Sequence, residues 1–350
     1  MITLRQIAAD LGLDCGTVSH ILSKDDSRYS TATRKRVHEY AAKIGYRPNA
    51  IARAMRTKRT GIIGFLFRQE PGHSLINEHY YARVIEGVES ELLDAGYKVL
   101  LSSVSNAEIA SCQLPSIVAD GFIEGLVVLG TSEQRWLKRL FKACKKTVIV
   151  DESPEGFPAV VSANFEGGRM VAQYLWDRGH RSFALITGNR PNLNFQLRLD
   201  GFRSWIDERL DAEVRVPVYT GDVWSDGGAV AARQILGKGH LPTAVFCAND
   251  HLAIDAMAEF KNANCRVPED ISIVGFDDIS ISAYASTPLT TVVVDKIQMG
   301  REAARIIMES VKTSTPVPIG RNEMPLNIVE RASVSSHPVS NTPININQNQ

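Results

Sequence analysis

From residue 61 onward, short apolar runs alternate with amphipathic segments, and this alternation limits the possible folds more than any other feature. The mostly apolar runs lie at residues 61–67, 98–102, 125–129, 146–150, 183–187, 244–247 and 271–275. Segments with apolar side chains at helical spacing lie at residues 80–93, 170–178, 201–210 and 251–262. Apolar strands joined by helices are typical of parallel sheets covered on both faces. We therefore predict an α/β core of two doubly wound parallel-sheet subdomains that face each other across a cleft, with chain crossovers near residues 162 and 291.

Residues 1–46 follow a different pattern, which predicts a small all-α domain of three short helices. Thr3 can cap the first helix, Asp14 the second, and Ser30 or Thr31 the third. Two short helices joined by a tight, glycine-containing turn form a helix-turn-helix, whose second helix enters the major groove of DNA. The residues predicted to face outward from this second helix are Cys15, Gly16, Thr17, Ser19 and His20.

Residues 47–60 join the two parts and predict a short, basic helix. Pro48 stops the preceding helix, and Asn49 can cap a new one in which Ile51 and Met55 form a narrow apolar stripe. A helix this short is marginal alone in water, so it should fold only against a partner. Two interpretations stay open. The segment is either a solvated linker helix or a helix that orders on DNA and inserts an apolar side chain into the minor groove.

The charge distribution favours a DNA contact that is confined to the N-terminus. The formal net charge of the chain is zero. Residues 1–60 nevertheless hold 12 Lys and Arg against 5 Asp and Glu, which leaves 27 against 34 in the remainder. A basic arm on an acidic body indicates a polyanionic partner for the arm alone.

The motifs of several other protein classes are missing from the sequence. The five cysteines form no C-x-x-C pair, so we expect reduced thiols and no metal site. We find no nucleotide-binding glycine motif, P-loop or nucleophile elbow, and we expect no catalytic residues and no cofactor. No leader pattern or membrane-length apolar run is present, so we expect a cytoplasmic protein with no membrane partner. An enzyme and a secreted solute-binding protein are therefore the weaker alternatives.

The N-terminal stretches TLRQIAADLGLDCGTVSHIL (residues 3–22) and GYRPNAIARAM (residues 45–55) resemble the signature of lactose-repressor-type (LacI/GalR family) transcription regulators. The resemblance continues to about residue 335, through matching stretches at residues 165–168, 178–181, 198–202, 248–250, 274–278 and 287–291. It implies a periplasmic-binding-protein-like core and a ligand-controlled repressor that binds a near-palindromic operator as a homodimer. The implied division is a helix-turn-helix domain (1–46), a hinge helix (47–60) and an effector-binding and dimerisation core (61–335). The tail (336–350) is rich in Pro, Asn and Gln with few charges, so we expect it to be disordered.

The resemblance also assigns roles within the DNA-binding segments. Cys15, Gly16 and His20 would contact bases, whereas Thr17 and Ser19 would contact phosphates. The family usually has Arg where His20 stands, and Gly16 offers no side chain to a base, so the resemblance does not fix the operator sequence. The implied set is completed by Thr3, Asn49, Arg53 and Met55, with Met55 as the minor-groove wedge.

Candidate effector ligands follow three predicted strands, at the sheet edge where α/β proteins bind small molecules. Arg198 offers forked donors, Asp277 accepts from paired hydroxyls, and Asn249 does both, a combination that suits a polyhydroxylated ligand. The resemblance adds Tyr80 and Tyr81 from the other half of the core. It also places Trp224, or the neighbouring Val223, over the ligand, because an aromatic face packs on sugar C–H groups or on a base. We therefore expect a sugar or a sugar derivative, with a purine or nucleoside as the alternative.

Several of these positions also have a structural interpretation. Asp250 and Asp278 could cap helices, His180 could be a helix-end residue, and Tyr80 could belong to the core. The sequence leaves these alternatives open.

Overall fold

The structure, a computed structural model, describes residues 3–23, 28–46, 59–69, 79–131, 133–209, 216–337 and 344–345. The chain divides into two compact units, with the boundary between Gly61 and Ile62.

The N-terminal unit contains three helices: α1 (Leu4–Leu11), α2 (Cys15–Ser23) and α3 (Thr31–Lys43). The Thr3 hydroxyl caps α1 by accepting a hydrogen bond from the Gln6 amide, and Gly12 ends this helix in the left-handed region at φ 63°. Ser30 caps α3 in the same way as Thr3 caps α1. The small core consists of Ile7, Ala8, Leu11, Val18, Ile21, Val37 and Ala41.

The second unit has the predicted α/β alternation. Its strands are β1 (Ile62–Arg68), β2 (Lys98–Val104), β3 (Gly125–Leu129), β4 (Thr147–Val150), β5 (Ala159–Ser162), β6 (Phe183–Gly188), β7 (Val218–Gly221), β8 (His240–Leu241), β9 (Ala244–Cys247), β10 (Ser272–Asp277), β11 (Thr290–Val293), β12 (Arg321–Met324), β13 (Asn327–Val329) and β14 (Ile344–Asn345). Its helices are α4 (His79–Asp94), α5 (Asn106–Ala110), α6 (Ser116–Ala119), α7 (Gln134–Ala143), α8 (Asn164–Asp177), α9 (Leu193–Asp207), α10 (Gly227–Leu236), α11 (Asp250–Asn262) and α12 (Lys296–Thr313), together with a 3-10 turn at Ser280–Ala283.

Twelve of these strands form two six-stranded sheets, which confirms the predicted fold class, and β8 pairs with β14 in a separate two-stranded sheet. The first sheet has the order β12-β5-β4-β3-β1-β2, and all of its pairs are parallel. The second has the order β13-β11-β10-β9-β6-β7, and it is parallel except for the β11–β13 pair. Residues of β3, β4, β9 and β10 are buried throughout, as expected for strands covered by helices on both faces.

The chain passes between the two sheets three times among the described residues. The first two passages follow β5 and β11, close to the expected positions. The third was not predicted: β12 joins the edge of the first sheet, and β13 then joins the edge of the second. The two subdomains are therefore connected by three adjacent segments, an arrangement that permits a hinge motion between them.

A close contact between α8 and α9 fixes one wall of the cleft. A Cβ atom on Gly168 would lie 1.9 Å from the carbonyl oxygen of Arg198, and one on Gly201 would lie 1.9 Å from that of Phe165. Because only glycine permits this approach, the two helices pack backbone to backbone. This packing holds Arg198 at a fixed depth beneath the cleft.

Several elements differ from the sequence-based expectation. Helices α8 and α9 begin at Asn164 and Leu193, several residues before the predicted positions. Ile344 and Asn345 pair antiparallel with β8, although the tail was expected to lack secondary structure. The other residues from 338 to 350 lie outside the described residues.

Candidate effector site and DNA-binding face

A cavity of about 400 Å³ lies between the carboxyl edges of the two sheets. All six side chains predicted to bind the effector line it: Tyr80, Tyr81, Arg198, Trp224, Asn249 and Asp277. The first two come from α4 on the first subdomain, and the other four come from the second subdomain. The structure therefore brings these residues together, while their role as effector ligands stays a prediction.

Arg198 and Asp277 form a buried ion pair at the base of the cavity. Their side chains approach to 3.1 Å between Nη2 and Oδ1, and the residues are 2% and 8% exposed. The guanidinium also donates to Asn164 Oδ1 at 2.8 Å and to the Ala248 carbonyl at 2.6 Å, and it lies 3.7 Å from the centre of the Phe276 ring. The pKa of Asp277 is raised overall because burial outweighs the opposing effect of the Arg198 charge. This pair presents one fixed carboxylate to the cavity.

Asp151 is a cavity residue that was missed from the sequence. Its Oδ1 accepts from the Tyr80 hydroxyl at 2.7 Å and from Asn194 Nδ2 at 3.2 Å. Asn194 Nδ2 also lies 2.9 Å from the Asp151 carbonyl oxygen, and its Oδ1 accepts from Asn164. Since Asp151 belongs to the first subdomain and Asn194 to the second, these bonds connect the two subdomains. Desolvation raises the pKa of Asp151.

Tyr80 lines the cavity and also packs against the hydrophobic core, and its hydroxyl donates to Asp151. Burial raises its pKa well above the usual value. Its ring stands edge-on to that of Tyr81, with centroids 5.5 Å apart. On the opposite side Val223 and Trp224 both line the cavity, so the structure retains both candidates for covering a ligand.

Asn249 has a structural role in addition to its predicted role in effector binding. Its Oδ1 caps α11 by accepting from the Leu252 amide at 3.0 Å, and the residue also lines the cavity. The helix-cap interpretation of Asp250 was therefore wrong. Asp250 is fully buried and accepts from the Ile279 amide and from the hydroxyls of Ser282 and Thr291. Burial, together with the charge of the nearby Asp277, raises the pKa of Asp250 to about 7.

The helix-cap interpretation of Asp278 was wrong as well, because this carboxylate pairs with Arg331 at 2.7 Å. His180 follows the end of α8 and is buried between the Thr243 hydroxyl and the Ser335 carbonyl, at 3.1 and 3.0 Å. Burial lowers the pKa of His180 to about 4, so the imidazole is neutral. Both residues lie outside the cavity lining and have structural roles.

Four further residues of the cavity lining with charged or titratable side chains were not predicted. Arg68 ends β1, Glu152 follows β4, Arg190 precedes α9, and His251 lies in the first turn of α11. All four occupy the carboxyl edges of the sheets or the first turns of helices next to those edges. The position of a residue after a predicted strand is the signal that could have identified them.

The second helix of the N-terminal unit exposes the expected face. Cys15 and Gly16 are exposed, Thr17, Ser19 and His20 are half-buried, and Val18 and Ile21 lie in the core. The Asp14 carboxylate caps this helix by accepting from the Gly16 amide at 2.8 Å and the Thr17 amide at 3.4 Å. Thr3 is exposed at the start of α1. Asn49, Arg53 and Met55 lie outside the described residues.

In the part of the chain that the structure describes, no helix is long and apolar enough to cross a membrane.

Comparison with known proteins yields consistent similarities. A family model described as a periplasmic binding protein-like domain matches residues 172–334. The HTH-type transcriptional repressor PurR of Vibrio atlanticus (strain LGP32) is 30% identical over 341 residues, which cover 96% of this chain and 99% of that protein. The PurR repressor of Escherichia fergusonii is 30% identical over 347 residues, with coverages of 97% and 98%.

Two solved structures extend the similarity to the fold. The lac repressor dimer bound to operator and the anti-inducer ONPF superposes with a TM-score of 0.82 at 24% identity, covering 95% of this chain and 99% of that one. The complex of the transcriptional regulator CelR with cellobiose superposes with a TM-score of 0.68 at 28% identity, covering 95% and 100%.

Proposed function

The chain belongs to the LacI/GalR family of DNA-binding, ligand-responsive transcriptional repressors, and we propose that a small molecule in the interdomain cavity controls its repression. The observation that carries this proposal is the cavity, since it gathers polar side chains from both subdomains. A molecule that touches both subdomains has an affinity that depends on the angle between them. Such a ligand shifts the population toward the angle that it binds best.

The effector is a sugar or a sugar derivative. The cavity matches a ring with several hydroxyls and apolar C–H faces. A carboxylate fixed by a guanidinium and two side-chain amides can bond the hydroxyls, and an aromatic ring can pack on the C–H faces. These groups are Asp277 with Arg198, Asn194 and Asn249, and Trp224. The CelR complex with cellobiose, at 28% identity, supports the same ligand class.

The DNA contacts come from Thr3, Cys15, Gly16, Thr17, Ser19, His20, Asn49, Arg53 and Met55. The exposed face of α2 enters the major groove, where the His20 ring can bond a guanine edge. Thr17 and Ser19 contact phosphates, which position the helix without reading sequence. Met55 inserts between base steps of the minor groove, because its side chain is long, apolar and adaptable.

The repressor acts as a homodimer on a near-palindromic operator. Large apolar side chains are exposed on the core, among them Leu93 at 67% and Tyr284 at 86%, and Leu100 and Leu101 are partly exposed on the edge strand β2. Exposed apolar surface on an edge strand favours association with another copy, and a two-fold dimer presents two identical reading helices. Closing the cleft then moves the attachment points of the two hinge helices, which allows or prevents their folding on DNA.

Membership of this family also leads to two proposals about catalysis and cellular location. The relatives reported above are repressors, and we propose that this chain likewise catalyses no reaction and only binds its effector. Its site of action is the bacterial chromosome, which places it in the cytoplasm with the nucleoid.

A thermal-shift screen tests the effector class. Purified protein is heated with sugars, sugar phosphates, nucleobases and nucleosides, alongside the variants Asp277→Asn and Asp207→Asn. Asp207 is an exposed acid on α9 and serves as the control. A ligand at about 100 times its dissociation constant stabilises the folded state by roughly 2.7 kcal/mol, which is readily detected. We expect stabilisation by a sugar that is lost only in Asp277→Asn. Stabilisation by purines alone, or an unchanged effect in that variant, would contradict the proposal.

A further inference from the structure

Two arginines besides Arg198 line the cavity, although recognition of neutral hydroxyls does not require them. We define this cationic rim as Arg68 and Arg190. Arg68 belongs to the first subdomain, whereas Arg190 belongs to the second. The rim therefore borders the ligand space from both sides.

The two arginines are held in place by neighbouring side chains. Arg68, at the carboxyl end of β1, donates from Nε to Asn106 Oδ1 at 2.6 Å. Arg190 lies in the loop between β6 and α9, with Nη2 3.8 Å from Asp222 Oδ2, and its side chain is 62% exposed. A guanidinium has a planar fork of donors that matches the oxygens of a phosphate or carboxylate. Each arginine thus brings such a fork to the lining of the cavity.

Three acids line the same cavity. Asp277 faces Arg198 at the base, at 3.1 Å. Asp151 accepts hydrogen bonds from a tyrosine and an asparagine, and desolvation raises its pKa. Glu152 is the third acid of the lining. The lining therefore holds acids as well as the two arginines of the rim.

Helix dipoles add to this field. The helices α4, α9 and α11 all begin beside the cavity, since Tyr80, Asn192 and Asn249 line it. The N-terminal end of a helix carries partial positive charge and favours an anion. These three helix ends and the cationic rim all favour an anionic ligand.

We propose that the effector is an anionic sugar, whose phosphate or carboxylate group lies between Arg68 and Arg190 while its hydroxyls contact Asp277 and Asn249. This inference rests on the proposed function and narrows its ligand class. When the cleft closes, the two arginines approach each other from opposite subdomains, and like charges repel. An anion between them replaces that repulsion with two attractions, so an anionic effector favours the closed form over the open one.

Matched ligands and matched variants test the proposal. The ligand panel pairs neutral monosaccharides and disaccharides with their 6-phosphates and with the corresponding aldonic and uronic acids, and it includes inorganic phosphate alone. Affinities are measured by calorimetry on the full chain and on Arg68→Gln, Arg190→Gln and Arg139→Gln. Arg139 is an exposed arginine of α7 that does not line the cavity, so its variant controls for the loss of one positive charge.

We expect a phosphorylated or acidic sugar to bind at least about tenfold more tightly than its neutral parent, because each charge-assisted hydrogen bond is worth roughly that factor. Arg68→Gln and Arg190→Gln should each reduce this preference about tenfold, and Arg139→Gln should leave it unchanged. The parallel phosphate and carboxylate series identify which anion is bound.

The outcomes separate this inference from the proposal on which it rests. A neutral sugar that binds as tightly as its anionic derivatives, with binding lost in Asp277→Asn, overturns the anionic class and leaves the sugar proposal intact. An anionic preference that survives both arginine substitutions also overturns the inference. Binding of inorganic phosphate as tight as that of any sugar phosphate, or binding of no sugar at all, overturns both.

Discussion

Replacing Arg198 with methionine tests the buried ion pair at the base of the effector cavity. The substitution keeps an unbranched apolar side chain of similar length next to the Phe276 ring, but it removes the cation 3.1 Å from Asp277. It also removes the donors to Asn164 Oδ1 and to the Ala248 carbonyl. Asp277 is only 8% exposed, and its Oδ1 has no aligned hydrogen-bond partner among the described residues. Its charge would therefore lose its ion-pair partner and keep only weaker compensation, from charges such as that of Lys296.

The expected cost follows from these contacts. Breaking a buried ion pair by removing one partner destabilises a protein by about 3–5 kcal/mol. Asp277→Asn keeps an acceptor oxygen and removes the charge, so we expect about 1–3 kcal/mol. In the double variant no uncompensated charge remains. Its cost should therefore be about 1–3 kcal/mol smaller than the sum of the two single costs.

Urea unfolding followed by circular dichroism measures these energies, provided that the dependence on urea is the same in all four proteins. The pH is kept at 7, where the Asp277 carboxylate is charged in the unfolded chain. Costs that add to within about 0.5 kcal/mol, or an Arg198→Met cost below about 1 kcal/mol, would refute the argument.

Three other perturbations test separate parts of the account. Met55→Ala should weaken operator binding about tenfold, through lost apolar contact, and leave effector affinity unchanged; equal operator affinity in an anisotropy titration would remove its wedge role. Operator affinity should fall roughly a thousandfold between about 50 and 200 mM salt if about six phosphates are neutralised, and a flat response would contradict the basic arm. Because the pKa of Asp250 is raised to about 7, the folded state holds a proton that the unfolded chain releases above about pH 4. Denaturant titrations give the unfolding free energy of the wild type minus that of Asp250→Asn at each pH. This difference should fall as pH rises from about 4 to about 7 and level off above. A difference that is constant or rises over this window would contradict the assignment of Asp250 as a buried acid.

The cavity was largely predictable because ligands of α/β sheets bind at the carboxyl ends of strands. Applying this rule to the predicted strands led to Asn249 and Asp277. The same rule applies to Asp151, which directly follows the apolar run at residues 146–150. This residue was missed because it lies outside the stretches that resemble the family. The link from Asp151 to Asn194 could not be predicted, since it depends on the relative placement of two subdomains.

Helix boundaries limited the rest of the prediction. Helix α9 begins at Leu193 with Asn192 as its cap, whereas apolar spacing placed its start at residue 201. Asn194 was therefore not recognised as a cavity residue. The long helix α12 was also missed, although buried Met299, Ala303 and Ile307 have clear helical spacing.

The edge strand β12 shows a different limit. Its residues, Arg321–Met324, are polar or half-exposed and have no apolar pattern, so periodicity does not reveal a strand. Its pairing with β5 comes from the tertiary context, which often overrides local preference. The third passage between the subdomains depends on this strand and was missed for the same reason.

The central claim is that a molecule in the interdomain cavity changes the affinity of the protein for its operator. The most direct measurement is the operator dissociation constant with and without a saturating ligand from the thermal-shift screen, for wild type and for Asp277→Asn. The account predicts a change of at least about tenfold in the wild type, typical of allosteric coupling, and little or none in the variant. An operator affinity that the bound ligand leaves unchanged, or that it changes equally in both proteins, would contradict the account.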